Sequence, residues 1–80
     1  MMEKIEITTR FRVDGSLVPI ELTVGGRTVQ VLDVGRQWES EEGRHLLVMD
    51  YQGNTYHLLF QLSDLSWYWV KDIKPAADSI

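Results

Sequence analysis

Residues 20–38, IELTVGGRTVQVLDVGRQW, predict a β-hairpin that continues into the longest strand of the chain. Alternating apolar and polar residues are typical of a half-buried strand, and the paired glycines Gly25 and Gly26 are typical of a tight hairpin turn. With both glycines in the turn, the register matches three cross-strand pairs: Leu22 with Val29, Ile20 with Val31, and Thr23 with Thr28. These chemically similar pairs support the predicted register.

The strand after this turn changes the face of its apolar residues partway along. Val29 and Val31 share one face, whereas Leu32, Val34 and Trp38 share the other. Either both faces are covered, or a bulge near Val31-Leu32 bends the strand so that each half faces one core. We favour the bulge, because a small barrel needs such a bend to close.

Further segments have the alternation of strands, and none has helical periodicity longer than a turn. They are residues 4–13, 44–51, 55–61 and 65–73. In the last of them, we expect Trp67 and Trp69 to face the core and Tyr68 to lie on the surface. The pattern predicts an all-β fold, a small antiparallel barrel of five to six strands that is SH3-like or a similar roll. The predicted domain spans residues 1–73, and residues 74–80 form a polar tail.

A second hairpin is predicted across Gly53-Asn54. Its register pairs three residues on the core face: Leu47 with Phe60, Met49 with Leu58, and Tyr51 with Tyr56. On the other face His57 lies opposite Asp50. A His–Asp pair is part of some nucleophilic sites, but no hydroxyl is placed beside it, so we favour a solvent-facing polar pair. His45 falls at the far end and on the other face, so the two histidines are not expected to share a metal.

The sequence offers no motif for catalysis or cofactor binding. The chain has no cysteine, which excludes a thiol nucleophile, a disulfide and a Cys-ligated metal. Glu39, Glu41 and Glu42 lack the alternating ligands of a calcium loop. Residues 25–27, Gly-Gly-Arg, precede a strand rather than the helix that a phosphate loop requires. We therefore predict a non-enzymatic domain with no cofactor and no metal.

Length and charge limit the possible partners. Eighty residues make one domain, and the formal charge of −4 argues against a general nucleic-acid coat. The first ten residues, MMEKIEITTR, have no apolar leader core, and no stretch is long enough to span a membrane. We expect a cytoplasmic protein with no membrane partner.

Several side chains remain as candidates for a binding surface. They are Arg10, Arg12, Arg27, Arg36, Trp38 and Tyr68. The alternative function is binding of single-stranded nucleic acid, which small barrels hold with arginine and aromatic side chains. We favour an interaction or accessory module with an unknown protein partner, because outward charges on strands more often keep them soluble. A homodimer is one form of this hypothesis.

Most of the chain also carries a spaced pattern, whose positions run from Pro19 to Val70. They are Pro19, Leu22, Val24, Gly26, Arg27, Val29, Val31, Val34, Trp38, Tyr56, Leu58, Trp69 and Val70. The pattern resembles a family of short bacterial all-β domains of unknown function, which carry P-x-x-F-x-W-x-G-R-x-Y-x-V-x-x-V, a Trp, Y-x-L and W-x-L. Some relatives are associated with Y-family translesion polymerase-like proteins. Leu22, Val24 and Val29 replace the family's aromatic residues, so the resemblance implies an accessory domain without its aromatic surface or any catalytic residue.

Overall fold

The computed structural model describes residues 2–71, which form six antiparallel strands. The strands are β1 (Met2–Phe11), β2 (Leu17–Val24), β3 (Arg27–Glu39), β4 (Gly43–Asp50), β5 (Thr55–Gln61) and β6 (Ser66–Val70). Each strand pairs with the next and β6 pairs with β1, which confirms the predicted small antiparallel barrel and shows that it is closed. Residues 2–71 include no helix whose length and apolar character suit a membrane crossing. The predicted tail, residues 74–80, lies outside the described residues.

Two long strands each take part in both halves of the barrel. β1 pairs with β6 through Ile5 and with β2 from Glu6 onward. β3 pairs with β2 through Gln30 and with β4 from Val31 onward. A strand that changes partners must bend, so these two strands form the corners of the barrel.

The bend in β3 is a bulge, as predicted. The register with β4 shifts between Val31 and Asp33, so that Leu32 lies outside the regular pairing and is 52% exposed. Val31 and Val34 therefore both pack against the core, although their spacing would place them on opposite faces of a regular strand. A second shift lies between Val34 and Gln37.

The hairpin at Gly25-Gly26 has the predicted register for two of its three pairs, Leu22 with Val29 and Thr23 with Thr28. The predicted pair of Ile20 with Val31 is wrong. The pairing of β1 with β2 passes from Glu21 directly to Pro19, so Ile20 is a bulged residue and is 39% exposed. Pro19 has no N–H to donate, and a bulge is one of the places where a strand accommodates proline.

The first strand also ends earlier than predicted, because residues 12–16 form a turn. The Arg12 N–H donates to the Ser16 carbonyl and the Gly15 N–H donates to the Arg12 carbonyl, both at 2.9 Å. The Asp14 carboxylate accepts hydrogen bonds from both the backbone N–H and the hydroxyl of Ser16. Val13 therefore lies at the tip of the turn, fully exposed, rather than on the apolar face of a strand.

The predicted register of the hairpin between β4 and β5 is wrong. Its loop spans residues 51–54 rather than two residues, and the observed pairs include Leu46 with Leu58 and Val48 with Tyr56. Because strand side chains alternate, this shift exchanges the two faces of β4, while the core face of β5 stays as predicted. Leu46, Val48, Tyr56 and Leu58 are buried in the core. Leu47 and Met49 of the predicted core face point outward, and Tyr51 lies in the loop, 68% exposed.

Asp50 explains why the longer loop forms. Its side chain is almost fully buried, and its carboxylate accepts hydrogen bonds from the N–H groups of Gln52 and Asn54 at 2.8 and 2.9 Å. It also accepts from the Asn54 side-chain amide and from the Tyr56 hydroxyl. Burial raises the pKa of Asp50, but these hydrogen bonds, led by those from Asn54, outweigh it and leave the pKa below its ordinary value of 3.8.

Replacing Asp50 with asparagine is expected to destabilise the domain in a pH-dependent way. Since folding lowers the pKa of Asp50, its stabilising contribution is complete above the unfolded-state pKa and is lost as pH falls through the folded-state pKa. The urea midpoint of Asp50→Asn should therefore lie below that of the wild type at pH 7, and the gap should narrow toward pH 3. The exposed Glu41→Gln is the control. A gap that stays constant or widens with acid would contradict the role of the carboxylate.

The tryptophans of β6 lie as predicted. Trp67 is buried in the core, and its ring contacts the Phe60 ring at a centroid distance of 5.0 Å. Trp69 packs against the core, and its ring contacts the Tyr56 ring at a centroid distance of 5.5 Å. Tyr68 lies between them in sequence and points outward, where its hydroxyl donates to Asp64. The core is therefore lined by β6 as well as by the hairpin of β4 and β5.

Candidate functional site

The predicted contact residues are spread over the barrel. Arg10 and Arg12 lie at the end of β1 and in the turn after it, whereas Arg27 begins β3 at the opposite end. Along β3, Arg27 and Arg36 are separated by on the order of 30 Å of strand. The structure brings Arg36 and Trp38 together, with the guanidinium carbon 5.2 Å from the centroid of the Trp38 ring.

Tyr68 lies away from that pair. It is on β6, three strands from Trp38 in a barrel of six strands, which places it about halfway around the barrel. The Tyr68 hydroxyl donates to the Asp64 carboxylate at 2.7 Å. This hydrogen bond raises the pKa of Tyr68 and lowers the pKa of Asp64. Tyr68 therefore ties the turn before β6 to the strand, and it shares no surface with Arg36 and Trp38.

Trp38 instead forms a cluster with two histidines on the outer face of the barrel. The observed register pairs His45 with Leu59 and His57 with Leu47, which places both histidines on one face of the β4–β5 hairpin. The His45 ring stacks on Trp38 at a centroid distance of 5.0 Å and an interplanar angle of 4°. The His57 ring lies 5.2 Å from Trp38 and 5.0 Å from His45.

Two sequence-based placements are corrected by this cluster. His57 does not face Asp50, because the loop of residues 51–54 moves Asp50 toward the core. His45 does not lie on the other face from His57, because the rings are in contact. Both errors have one cause, the assumed two-residue turn. The correct register would have placed the histidines together, but Ser40 would still have been missed, since it lies in a loop.

A chain of hydrogen bonds runs through the cluster from Ser40 to His57. The Ser40 hydroxyl lies 2.8 Å from His45 Nε2, and His45 Nδ1 lies 2.8 Å from His57 Nε2. The Ser40 oxygen also accepts the N–H of Glu42 at 3.2 Å. Ser40 is exposed, whereas His45 is only 7% exposed. We call Ser40, His45 and His57 the Ser–His–His chain.

A tight turn between β3 and β4 positions Ser40. The Ser40 N–H donates to the Gly43 carbonyl at 2.9 Å, and the Gly43 N–H donates to the Ser40 carbonyl at 3.2 Å. Beside this turn Glu39 pairs with Arg44 across the strands, and their side chains form a salt bridge of 2.9 Å. The turn therefore holds the Ser40 hydroxyl over the start of β4, within reach of His45.

The two histidines contact each other through a hydrogen bond and are not arranged as two ligands of one metal ion. Two imidazole nitrogens 2.8 Å apart share one hydrogen, so they do not direct two lone pairs at a third atom. Among residues 2–71, no group of three or more His, Asp or Glu side chains is arranged to hold a metal ion. The cluster is suited to moving or sharing a proton.

A groove of about 500 Å³ lies on another side of the barrel, where β1 leaves β6. Residues 4–8 of β1, Glu21 and Thr23 of β2, and residues 65–67 line it. Leu65 is 70% exposed and has a φ of +55°, a left-handed conformation that leucine rarely adopts. We call this feature the β1 groove.

Comparisons with protein-family models, with curated proteins and with solved structures find no match for this chain. The resemblance to the bacterial all-β family stays a prediction from the spaced residues of the sequence.

Proposed function

We propose that this domain is a non-enzymatic interaction module that binds an extended segment of a partner protein along a free edge of β1. The observation that carries the proposal is the pairing of β1. Its pairing with β6 ends at Ile5, and residues 6–11 pair with β2 on one side. Within residues 2–71, the other edge of this segment has no strand partner.

An unpaired edge is a template for another strand, because its N–H and C=O groups can form main-chain hydrogen bonds. Natural proteins often protect such edges with bulges. In the pairing of β1 with β2 the extra residue is Ile20 of β2, so residues 6–11 of β1 keep a regular extended path. This regularity favours the addition of a strand.

Exposed apolar residues lie at both ends of the free edge. Leu65 lines the β1 groove, and Phe11, which ends β1, is 63% exposed. A bulky exposed residue held at positive φ costs conformational energy, and such residues concentrate at functional sites. Leu65 and Phe11 are therefore the apolar contacts that we assign to the partner segment.

The outer face of the edge specifies the chemistry of the partner. Glu6, Thr8 and Arg10 alternate along it. Opposite charges stabilise directly facing positions of antiparallel strands, and threonine pairs favourably with threonine. An antiparallel segment with Glu opposite Arg10, Thr opposite Thr8 and Lys opposite Glu6, separated by valines, fits these positions. The matching probe for residues 6–11 is the hexapeptide Ac-VEVTVK-NH₂.

Titrating this peptide into ¹⁵N-labelled protein is expected to shift the backbone amides of residues 6–11 and of Leu65, and to slow their hydrogen exchange. Two peptides are controls. Ac-VEVPVK-NH₂ replaces the threonine with proline and so lacks its N–H, and Ac-VKVTVE-NH₂ reverses the charges. The double variant Glu6→Lys/Arg10→Glu should prefer the reversed peptide. Equal responses to all peptides, or none at millimolar concentration, would contradict the proposal.

Other occupants of this edge would give different results. A second copy of the chain would produce a concentration-dependent dimer in sedimentation velocity. A nucleic-acid module would bind oligothymidylate at low salt, with shifts at Arg36 and Trp38 rather than along β1. Either result, without binding of the peptide, would replace the proposed function.

We propose that the domain acts in the cytoplasm, as an accessory domain of a larger bacterial assembly. The chain contains no cysteine, whereas small extracellular domains commonly depend on disulfides. The family resemblance adds support for the accessory role.

A further inference from the structure

The Ser–His–His chain has the atom order of a nucleophile, a base and a group that orients the base. A hydroxyl contacts Nε2 of a histidine, and Nδ1 of the same ring contacts a third group. Both distances are 2.8 Å, within the range required for proton transfer between a base and a reacting group. Nothing in the proposed binding edge uses these residues.

The hydrogen bonds around Ser40 are compatible with the positions of the hydrogens that a hydroxyl nucleophile and its base require. The Ser40 oxygen accepts the N–H of Glu42, and its own hydrogen can be donated to His45 Nε2. His45 then carries its hydrogen on Nδ1 and donates it to His57 Nε2. In this assignment His45 Nε2 is a lone-pair acceptor that faces the hydroxyl, as a general base must be.

The surroundings hold the base rigid and leave the nucleophile accessible. His45 is almost fully buried and stacks in parallel on Trp38, so its ring has little freedom to rotate. Ser40 lies exposed on the turn between β3 and β4. A fixed base beside an accessible hydroxyl is the arrangement that lowers the entropic cost of reaction.

A small cavity of about 220 Å³ adjoins Ser40 at this end of the barrel. Its apolar lining comes from Leu17, Phe60 and Leu62, and the ion pair of Glu39 and Arg44 lines it as well. The Arg44 guanidinium bonds Glu39 and the Gly15 carbonyl, and a guanidinium has five N–H donors in all. Because Arg44 pairs with Phe60 and His45 pairs with Leu59, the cavity lies on the opposite face of the strands from His45, and the ester reacts at the exposed hydroxyl of Ser40.

We propose that Ser40 is an acyl-acceptor site for activated esters of short carboxylic acids, with His45 as its general base and His57 as the positioning residue. The Ser40 oxygen forms a bond to the acyl carbon, and the bond from that carbon to the alcohol oxygen of the ester breaks. The Ser40 proton passes to His45 Nε2 and from there to the departing alcohol. The products are acyl-Ser40 and one free alcohol, with no change of oxidation state.

The test is reaction with 4-nitrophenyl acetate, followed by release of nitrophenolate and by mass spectrometry of the protein. We expect one equivalent of nitrophenolate and one acetyl group, which peptide mapping locates on Ser40. Ser40→Ala should lose this adduct, and Ser63→Ala, an exposed serine away from the histidines, should keep it. His45→Gln should slow acetylation of Ser40 by about 100-fold, the lower range for a general base.

His57 is tested by rescue. His57→Gln retains an acceptor for His45 Nδ1 and should react faster than His57→Phe, which retains only bulk. Folding of each variant is checked by amide shift dispersion. Acetylation confined to lysines, or an unchanged rate in Ser40→Ala, would overturn the proposal even if the histidine variants fail to fold. Steady hydrolysis beyond one equivalent would support it and would contradict the non-enzymatic part of the proposed function. The result does not depend on peptide binding at β1.

Discussion

Replacing Gly43 with alanine is expected to lower the free energy of unfolding by about 3–5 kcal/mol, a loss that few single substitutions reach. A Cβ at Gly43 would overlap the carbonyl oxygen of Phe60 and lie 3.2 Å from the Cα of Gln61. Both are backbone atoms of the neighbouring strand, so no side-chain rotation can relieve the overlap. The pairing of β4 with β5 would have to open at this end.

Gly35→Ala is the matched control, because the Cβ there would lie 3.6 Å from the Leu47 carbonyl oxygen, an ordinary contact. We expect Gly35→Ala to change stability by less than about 1 kcal/mol. Urea unfolding followed by tryptophan fluorescence measures both variants. Equal midpoints for Gly43→Ala and the wild type would show that the strands do not approach as closely as described. Because Gly43 shares the turn with Ser40, its loss should also remove the acylation of Ser40.

Replacing Leu46 with alanine is expected to lower the free energy of unfolding by about 2–5 kcal/mol, the range for a fully buried leucine. Leu46 has no exposed surface and pairs directly with Leu58, which is equally buried. A small domain has little stability in reserve, so the variant should be partly unfolded at room temperature. The same urea titration and amide shift dispersion measure this outcome.

Met49→Ala is the control for Leu46→Ala, and the pair decides between the two registers of the hairpin. The sequence predicts Met49 in the core, whereas the structure leaves it 40% exposed. We expect Met49→Ala to cost less than about 1 kcal/mol, since little surface is transferred to water. A larger loss of stability in Met49→Ala than in Leu46→Ala would support the register predicted from the two-residue turn and contradict the observed one.

The sequence predicted the parts of the fold that depend on local pattern. Strand alternation gave the all-β class, and the change of face after Val31 located the bulge at Leu32. It failed where a tertiary interaction chose between local alternatives. Gly53-Asn54 is compatible with a two-residue turn, but the buried Asp50 carboxylate satisfies the amides of a longer loop. The alternation of apolar and polar residues does not indicate that the longer loop is preferred.

The candidate site was less predictable than the fold, because it depends on one register error. The assumed two-residue turn placed His45 and His57 on opposite faces. Ser40 was therefore not considered as a partner of His45. Arg10, Arg27 and Arg36 lie on the strands predicted for them, whereas Arg12 lies in the turn after β1 rather than on the strand. Sequence alone cannot tell which end of a barrel each strand position occupies. Arg36 and Trp38 meet because they lie two residues apart beyond the second bulge of β3.

The closure of the barrel between β1 and β6 has a consequence for how the chain folds. Every other strand pair joins neighbours in sequence, whereas this pair joins residues separated by nearly the whole chain. Closing so long a loop costs more chain entropy than forming any of the hairpins. The meander should therefore form first and the pairing of Glu3 with Trp69 last. Substitutions at that junction should speed unfolding while leaving the folding rate almost unchanged.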